Sequence, residues 1–262
     1  EKVMRIFTKA LIKVAAPMPD LDSFQRYLFV GPHPDDIEVG VGATAAKLCR
    51  MGKEVEFLIV TDGRYGSDTA DYDKEELIEI RKQETLKSAE IIGAKKVIFL
   101  TYDDGGDYSE TDIKNDILKE IVEFKADVVF TPDPLLKTEC HSDHLKVGRA
   151  TSTAFMFSGI AGVPKDKFGL EAYAAKALAY YYTEIPNVRY KVKKQDVETQ
   201  IKALQQFPSQ FKVVDNMDQM KMISAYIRFR ALRAGFWRFK GRAEELRVVP
   251  NSRMHCFAEK VK

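Results

Sequence analysis

Hydrophobic and polar positions alternate between two periods along the chain. Tyr27-Leu28-Phe29-Val30 is an unbroken apolar run ending in Gly31-Pro32, as in a parallel strand buried on both faces. Helical spacing from Val41 to Met51 follows, with Gly52 where a C-cap glycine belongs. Val55 to Thr61 reads as a second strand, Lys74 to Ile92 as a long amphipathic helix closed by Gly93, and Val97 to Leu100 as a third strand. A helix over Thr111 to Lys125, a strand over Asp127 to Thr131 and a helix over Asp143 to Phe157 complete the regular part, before a loop rich in Gly and Lys. Repeated βα units joined by short turns predict an α/β, Rossmann-like, mostly parallel sheet with helices on both faces, spanning about residues 20–157.

Beyond it the pattern weakens. Ala177 to Thr183 suits a strand, Gln195 to Gln206 and Met217 to Phe236 suit helices, and Glu245 to Val249 and His255 to Glu259 read as late extended segments. No internal repeat or long linker marks a boundary, so residues 1–262 are expected to form a single domain in which 158–262 completes the pocket.

Composition narrows the classes. With 45% hydrophobic and 31% charged residues the chain is neither collagen nor disordered. Lys plus Arg number 41 against 39 Asp plus Glu, and a net charge of +2 gives no field that demands nucleic acid or an anionic surface. The basic stretch Arg228 to Arg242 alternates with apolar residues as a solvated amphipathic helix does. Its aromatics Phe229, Phe236, Trp237 and Phe239 suit core packing or a subunit interface. No run approaches the ~18 apolar residues of a membrane span, and the start lacks the apolar stretch of a cleavable signal. Three cysteines (Cys49, Cys140, Cys256) without a CxxC suit a reducing, cytoplasmic setting.

In an open parallel sheet, ligands bind outside the carboxyl ends of the strands, where strand order reverses. The turns there carry Pro32-His33-Pro34-Asp35-Asp36, Thr61-Asp62-Gly63-Arg64, Tyr102-Asp103-Asp104-Gly105, and Cys140-His141-Ser142-Asp143-His144. A catalytic Zn²⁺ takes three protein ligands from His and carboxylates and keeps a position for water. His33 and one of its two neighbouring carboxylates can ligate from one stiff turn, leaving the other as general base. His141 and His144, three apart near a helix start, face nearly the same side and can supply a third ligand and an acid/base group. Each feature has a plainer reading: Asp36 and Asp143 as helix caps, the histidines as hydrogen-bonded structural residues.

Pro-His-Pro-Asp-Asp after the first strand and His-Ser-Asp-His after a later one resemble the PIG-L/LmbE family of zinc-dependent N-deacetylases. Thr61-Asp62-Gly63 and Arg81-Lys82-Gln83-Glu84 agree with that likeness. Pro132-Asp133-Pro134, Tyr181-Tyr182-Thr183, Ser209-Gln210 and the tail from Arg247 through His255 are similar to its diacetylchitobiose deacetylase branch. The resemblance implies that His33, Asp36 and His144 bind Zn²⁺, or Fe²⁺ or Co²⁺ in its place. It implies that Asp35 is the general base, that His141 is the charged partner of the oxyanion, and that Asp143 orients His141. Ser142 departs from the family's common proline without touching these positions.

Arg81 matches a family arginine that reaches the substrate, although an exposed helix arginine would look the same. His255 matches a histidine near the pocket, and Arg64 and Asp104 lie on the active edge where they can bind hydroxyls. The activity so implied is removal of acetyl from an N-acetylglucosamine-type amide, on a small N-acetylated amino sugar or glycoconjugate. The branch suggests a homo-oligomer, trimer or hexamer. Two alternatives stand beside it. Gly40-Val41-Gly42-Ala43-Thr44-Ala45 with Asp62 fits a nicotinamide-dependent Rossmann oxidoreductase, except that the glycines fall too late for the strand-to-helix turn. A non-catalytic sugar-binding relative would have no use for Asp35.

Overall fold

A seven-stranded sheet in the order β3-β2-β1-β4-β5-β9-β6 organises the chain. The computed structural model describes residues 7–8, 11–12, 14–67, 73–214, 216–236 and 241–254. The strands are β1 (Arg26–Gly31), β2 (Glu54–Thr61), β3 (Lys96–Tyr102), β4 (Val128–Pro132), β5 (Ala177–Tyr181), β6 (Val188–Val192) and β9 (Arg242–Pro250). A small hairpin, β7 (Val213–Val214) with β8 (Met217–Asp218), stands apart. β1 to β5 run parallel, and β9 turns antiparallel against both β5 and β6.

Period-two side chains divide the core. Tyr27, Phe29, Phe57, Phe130 and Tyr181 face one side, while Leu28, Val30, Leu58, Val129 and Tyr180 face the other. On the first face Phe29 and Phe130 stack at 4.2 Å between ring centres, tying β1 to β4 across the centre of the sheet. Helices α1 (Asp36–Arg50), α2 (Lys74–Ile92), α6 (Lys194–Leu204) and α7 (Gln219–Phe236) cover that face. Helices α3 (Glu110–Phe124), α4 (Ser142–Ser158) and α5 (Gly162–Phe168) cover the other. The Rossmann-like arrangement expected from the periodicity is therefore the one observed, with the order reversing between β1 and β4.

Several boundaries differ from the sequence reading. α1 begins at Asp36 rather than Val41, and Val41 itself is non-helical at φ −149° and ψ 17°. The glycines of the G-x-G-x-x-A stretch thus lie inside a helix, as anticipated, and the dinucleotide reading loses its turn. A Cβ at Gly40 would overlap the Tyr181 ring, and one at Gly42 would sit 2.8 Å from Gln200 Cγ. α5 occupies the expected Gly- and Lys-rich loop, and the helix expected from Met217 starts at Gln219 after the short β8. Val188 to Val192 forms a strand that the sequence reading passed over. Phe229 and Phe236 are 67% and 76% exposed, so core packing does not explain them. Trp237, Phe239, Cys256 and the segment His255 to Glu259 lie outside the described residues. Among the described residues no helix is long and apolar enough to cross a membrane.

Gly40→Ala is expected to lower unfolding free energy by about 1–3 kcal/mol through overpacking against Tyr181. Urea titration measures this, and an unchanged midpoint would mean that the ring yields.

Candidate active site

The reversal of strand order sets the loop after β1 beside the loop after β4, and this is where the candidate residues meet. Thr61 fixes the first loop from the neighbouring strand, donating its N–H and hydroxyl to Pro32 O at 2.9 and 2.8 Å. The turn closes on itself: His33 N–H donates to Asp36 Oδ2 at 2.9 Å, and His33 Nδ1 lies 3.0 Å from the same oxygen. Asp36 therefore does not cap its helix as the plainer reading had it. Asp35 occupies the cap position with φ 98°, a left-handed conformation costly for a side chain with a Cβ, and makes no capping bond.

Arg81 compensates for this geometry. Its guanidinium donates to Pro34 O at 2.5 Å and to Gln210 Oε1 at 2.9 Å, and stands 3.5 Å from Asp35 Oδ1. At 2% exposure it is no surface arginine, and two of its nitrogens are engaged by Pro34 O and Gln210. Two glycines make room for it. A Cβ at Gly66 would overlap the guanidinium, and one at Gly63 would sit 2.9 Å from the Pro34 ring.

The second loop delivers three side chains at the start of α4. His141 is the residue that caps the helix, its Nδ1 accepting the Asp143 N–H at 3.3 Å. The fully buried Asp143 carboxylate accepts from Gly105 N–H at 2.8 Å and lies 3.2 Å from His33 Nε2. The expected carboxylate-to-imidazole bond from Asp143 to His141 is thus made to His33. His144 Nε2 stands 3.3 Å from Asp36 Oδ2, and its Nδ1 is 2.8 Å from Glu139 Oε2. Glu139 also accepts the His141 N–H at 2.8 Å. Sequence reasoning missed Glu139, and its position two residues before His141 was the available signal. Tyr182, within the Tyr181-Tyr182-Thr183 stretch of the family likeness, also reaches the site. Its hydroxyl donates to Asp36 O at 3.2 Å and its ring lies parallel to that of His144.

The edge residues sort differently. Asp104 points inward, 3.2 Å from His33 Nε2, and accepts from Tyr65 N–H. Arg64 is spent on carboxylates, with bonds to Asp62 at 2.9 Å and Asp103 at 2.7 Å. His255 lies outside the described residues.

Two overlapping donor sets result: His33, Asp36 and His144, and His33, Asp104, His141 and Asp143, with each set's ligand atoms within 4.8 Å of one another. The first carries the pattern of a metal centre. His33 Nδ1 and His144 Nε2 face the Asp36 carboxylate, and the other nitrogen of each ring meets a carboxylate that fixes its tautomer. Electrostatics agree. Burial opposes charge on His33, yet Asp104, Asp143 and Asp36 outweigh it and hold the imidazole well above its ordinary range. Against the same penalty, His144 and His33 hold Asp36 far below the usual carboxylate range. Burial pushes Asp35 up to about 7, with Arg81 opposing. His141 is held below its ordinary value by burial and by the neighbouring His33 and His144, with Asp143 and Asp104 opposing.

Residues 28–155 match the family model described as GlcNAc-PI de-N-acetylase, PIG-L, and the chain belongs to that family. It is 31% identical over 258 residues to the diacetylchitobiose deacetylase of Thermococcus kodakarensis, covering 97% of this chain and 93% of the relative. A shorter match, 36% over 100 residues, covers 37% of this chain and 28% of a 1D-myo-inositol 2-acetamido-2-deoxy-alpha-D-glucopyranoside deacetylase from Kineococcus radiotolerans. Among solved structures, the N,N'-diacetylchitobiose deacetylase from Pyrococcus horikoshii, complexed with its inhibitor MPG, superposes with a TM-score of 0.86. It is 29% identical, over 98% of this chain and 96% of that one.

Arg81→Met would strand Pro34 O and is expected to cost about 1–3 kcal/mol in chemical denaturation. An exposed helix arginine would change stability by less than about 0.5 kcal/mol.

Proposed function

We propose that this protein is a metal-dependent hydrolase that deacetylates an N-acetylglucosamine-type substrate, releasing acetate and a free amine. The observation that carries this reading is the convergence of His33 Nδ1, His144 Nε2 and the Asp36 carboxylate beside an Asp35 carboxylate that no hydrogen bond among the described residues occupies. The two imidazole nitrogens and one carboxylate suit Zn²⁺, with Fe²⁺ or Co²⁺ as substitutes. Such an ion would act there as a Lewis acid toward the amide carbonyl and lower the pKa of water.

The chain's own groups divide the remaining work. Asp35, raised toward neutrality, takes a proton from the attacking water. Oxygen adds to the carbonyl carbon, and the same proton passes to the amine nitrogen as the C–N bond breaks. His141 serves the developing oxyanion. Because its Nδ1 accepts the Asp143 N–H, Nε2 is the ring nitrogen left to donate a proton. Asp104 and Asp143 hold the His33 ring, and Glu139 holds His144. The named relatives act on acetylated glucosamine compounds, so the substrate proposed here is an N-acetylated amino sugar or glycoconjugate.

Acetate release is expected from a panel containing N-acetylglucosamine and N,N'-diacetylchitobiose, and is expected to cease with a strong chelator. Release that is indifferent to chelation would overturn the metal-dependent reading. Asp35→Asn is expected to keep its metal and lose about 10²–10⁴-fold in kcat; near-normal turnover would remove Asp35 from its role. Glu139→Gln is expected to weaken Zn²⁺ binding by about 10–100-fold, read by chelator competition.

A further inference from the structure

The break in α1 lies one turn beyond the residues of the proposed site. A helix interrupted at Val41 leaves carbonyls before the break and N–H groups after it without their usual partners. Both sets are met by side chains from far along the chain. Arg230 of α7 donates to Val39 O at 2.7 Å and to Gly40 O at 3.2 Å. Gln200 of α6 donates to Glu38 O at 2.7 Å, approaching through the space that Gly42 leaves. On the other side, Glu244 of β9 accepts from Thr44 N–H at 2.7 Å and from its hydroxyl at 2.6 Å.

Arg230 and Glu244 also face each other, at 3.8 Å. Glu244 is 4% exposed, and its second oxygen, toward Arg230, accepts no hydrogen bond among the described residues. A carboxylate buried in this way is costly unless it does something that an apolar residue cannot. A cation on the carbonyl side and an anion on the N–H side are the charges that complement the two helix ends created by a break. Without them, α1 would gain from closing its own hydrogen bonds, and the turn 36–40 would swing with it. That turn carries Asp36 and follows Asp35.

We propose that Arg230 and Glu244 are positioning residues of the proposed deacetylase site: they hold α1 open at Val41 and so set where the Asp35–Asp36 turn stands relative to His33 and His144. The inference rests on the deacetylase reading for its activity arm, while its metal-binding arm is independent of the substrate. Neither residue touches the reacting atoms. A displacement on the order of 1 Å in a catalytic turn costs about 10²-fold in rate, and loss of support behind a metal ligand costs about 10–100-fold in affinity.

The test compares the parent protein with Arg230→Met, Arg230→Lys and Glu244→Gln. Each is measured for Zn²⁺ affinity by chelator competition, for Tm of the metal-free protein, and for kcat and KM on the best substrate of the panel. Arg230→Met is expected to bind Zn²⁺ at least tenfold more weakly and to lose at least tenfold in kcat with KM little changed, and Arg230→Lys to recover most of both. If Arg230→Met is lower in Tm yet stays within twofold of the parent in Zn²⁺ affinity and kcat, the two residues are structural and the proposal fails. Should Arg230→Met yield no folded protein, Glu244→Gln decides, with about a threefold or greater loss of Zn²⁺ affinity expected and an unchanged value overturning the idea. A parent that binds Zn²⁺ but deacetylates nothing refutes the functional reading instead, and the affinity arm still judges the clamp.

Discussion

Five carboxylates crowd three imidazoles under a single buried guanidinium, and this surplus of negative charge is the constraint that the rest of the structure answers. Asp36, Asp104 and Asp143 are each less than 9% exposed, and Asp35 and Glu139 stand close beside them. Charges this near one another and this far from water are tolerated only when paired or neutralised. The protein partly answers with Arg81, and partly with His33 and His144, whose charged forms the surrounding carboxylates favour against the cost of burial. A divalent cation would take over that compensation at once, freeing both imidazoles to act as neutral donors. The same crowding of carboxylates around His33 and His144 is what makes the proposed site suited to a cation.

One strained backbone position falls where the proposed chemistry needs a carboxylate. Asp35 holds a positive φ that a glycine would occupy more easily, yet glycine would supply no carboxylate. The surroundings over-determine the conformation: Pro34 stiffens the loop, Thr61 pins Pro32 O, and Arg81 pins Pro34 O. Gly63 and Gly66 matter for a different reason, since their missing side chains form the slot in which Arg81 lies.

Much of this was legible in the sequence because it depends on local pattern. Buried apolar runs ending in Gly, Pro or Asp mark the parallel strands, and ligands of an open parallel sheet bind where strand order reverses, at the loops after β1 and β4 that carry His33, Asp35, Asp36, His141, Asp143 and His144. The misreadings share a physical cause. Residues such as Asp143, Arg81 and Asp104 could be placed on an element from the sequence, but the direction of each side chain depended on partners distant in the chain. Asp143 turns to His33 rather than His141, and Arg81 reaches Pro34 O, a contact that the sequence did not foretell. The strand Val188 to Val192 alternates in hydrophobicity, but it pairs only with β9, whose partnership nothing local foretells.

The division of labour within the chain follows from the same geometry. Every donor of the two metal-capable sets lies before residue 145, within the stretch matched by the family model. The last hundred residues place no donor there among those described, yet Tyr182, Gln200, Gln210, Arg230 and Glu244 all reach back to groups between Asp36 and Arg81. A parallel sheet alone can bring loops to one edge, but it leaves the helix that follows β1 free to keep its hydrogen-bond ladder unbroken. Strands β9 and β6 extend the sheet past its parallel part; α7 packs on β9 and α6 on α1, close enough for side chains to fill the groups that a broken helix exposes. The later elements thus act on the site through backbone rather than through ligands, which is why sequence motifs point to the donors and leave their supports unmarked.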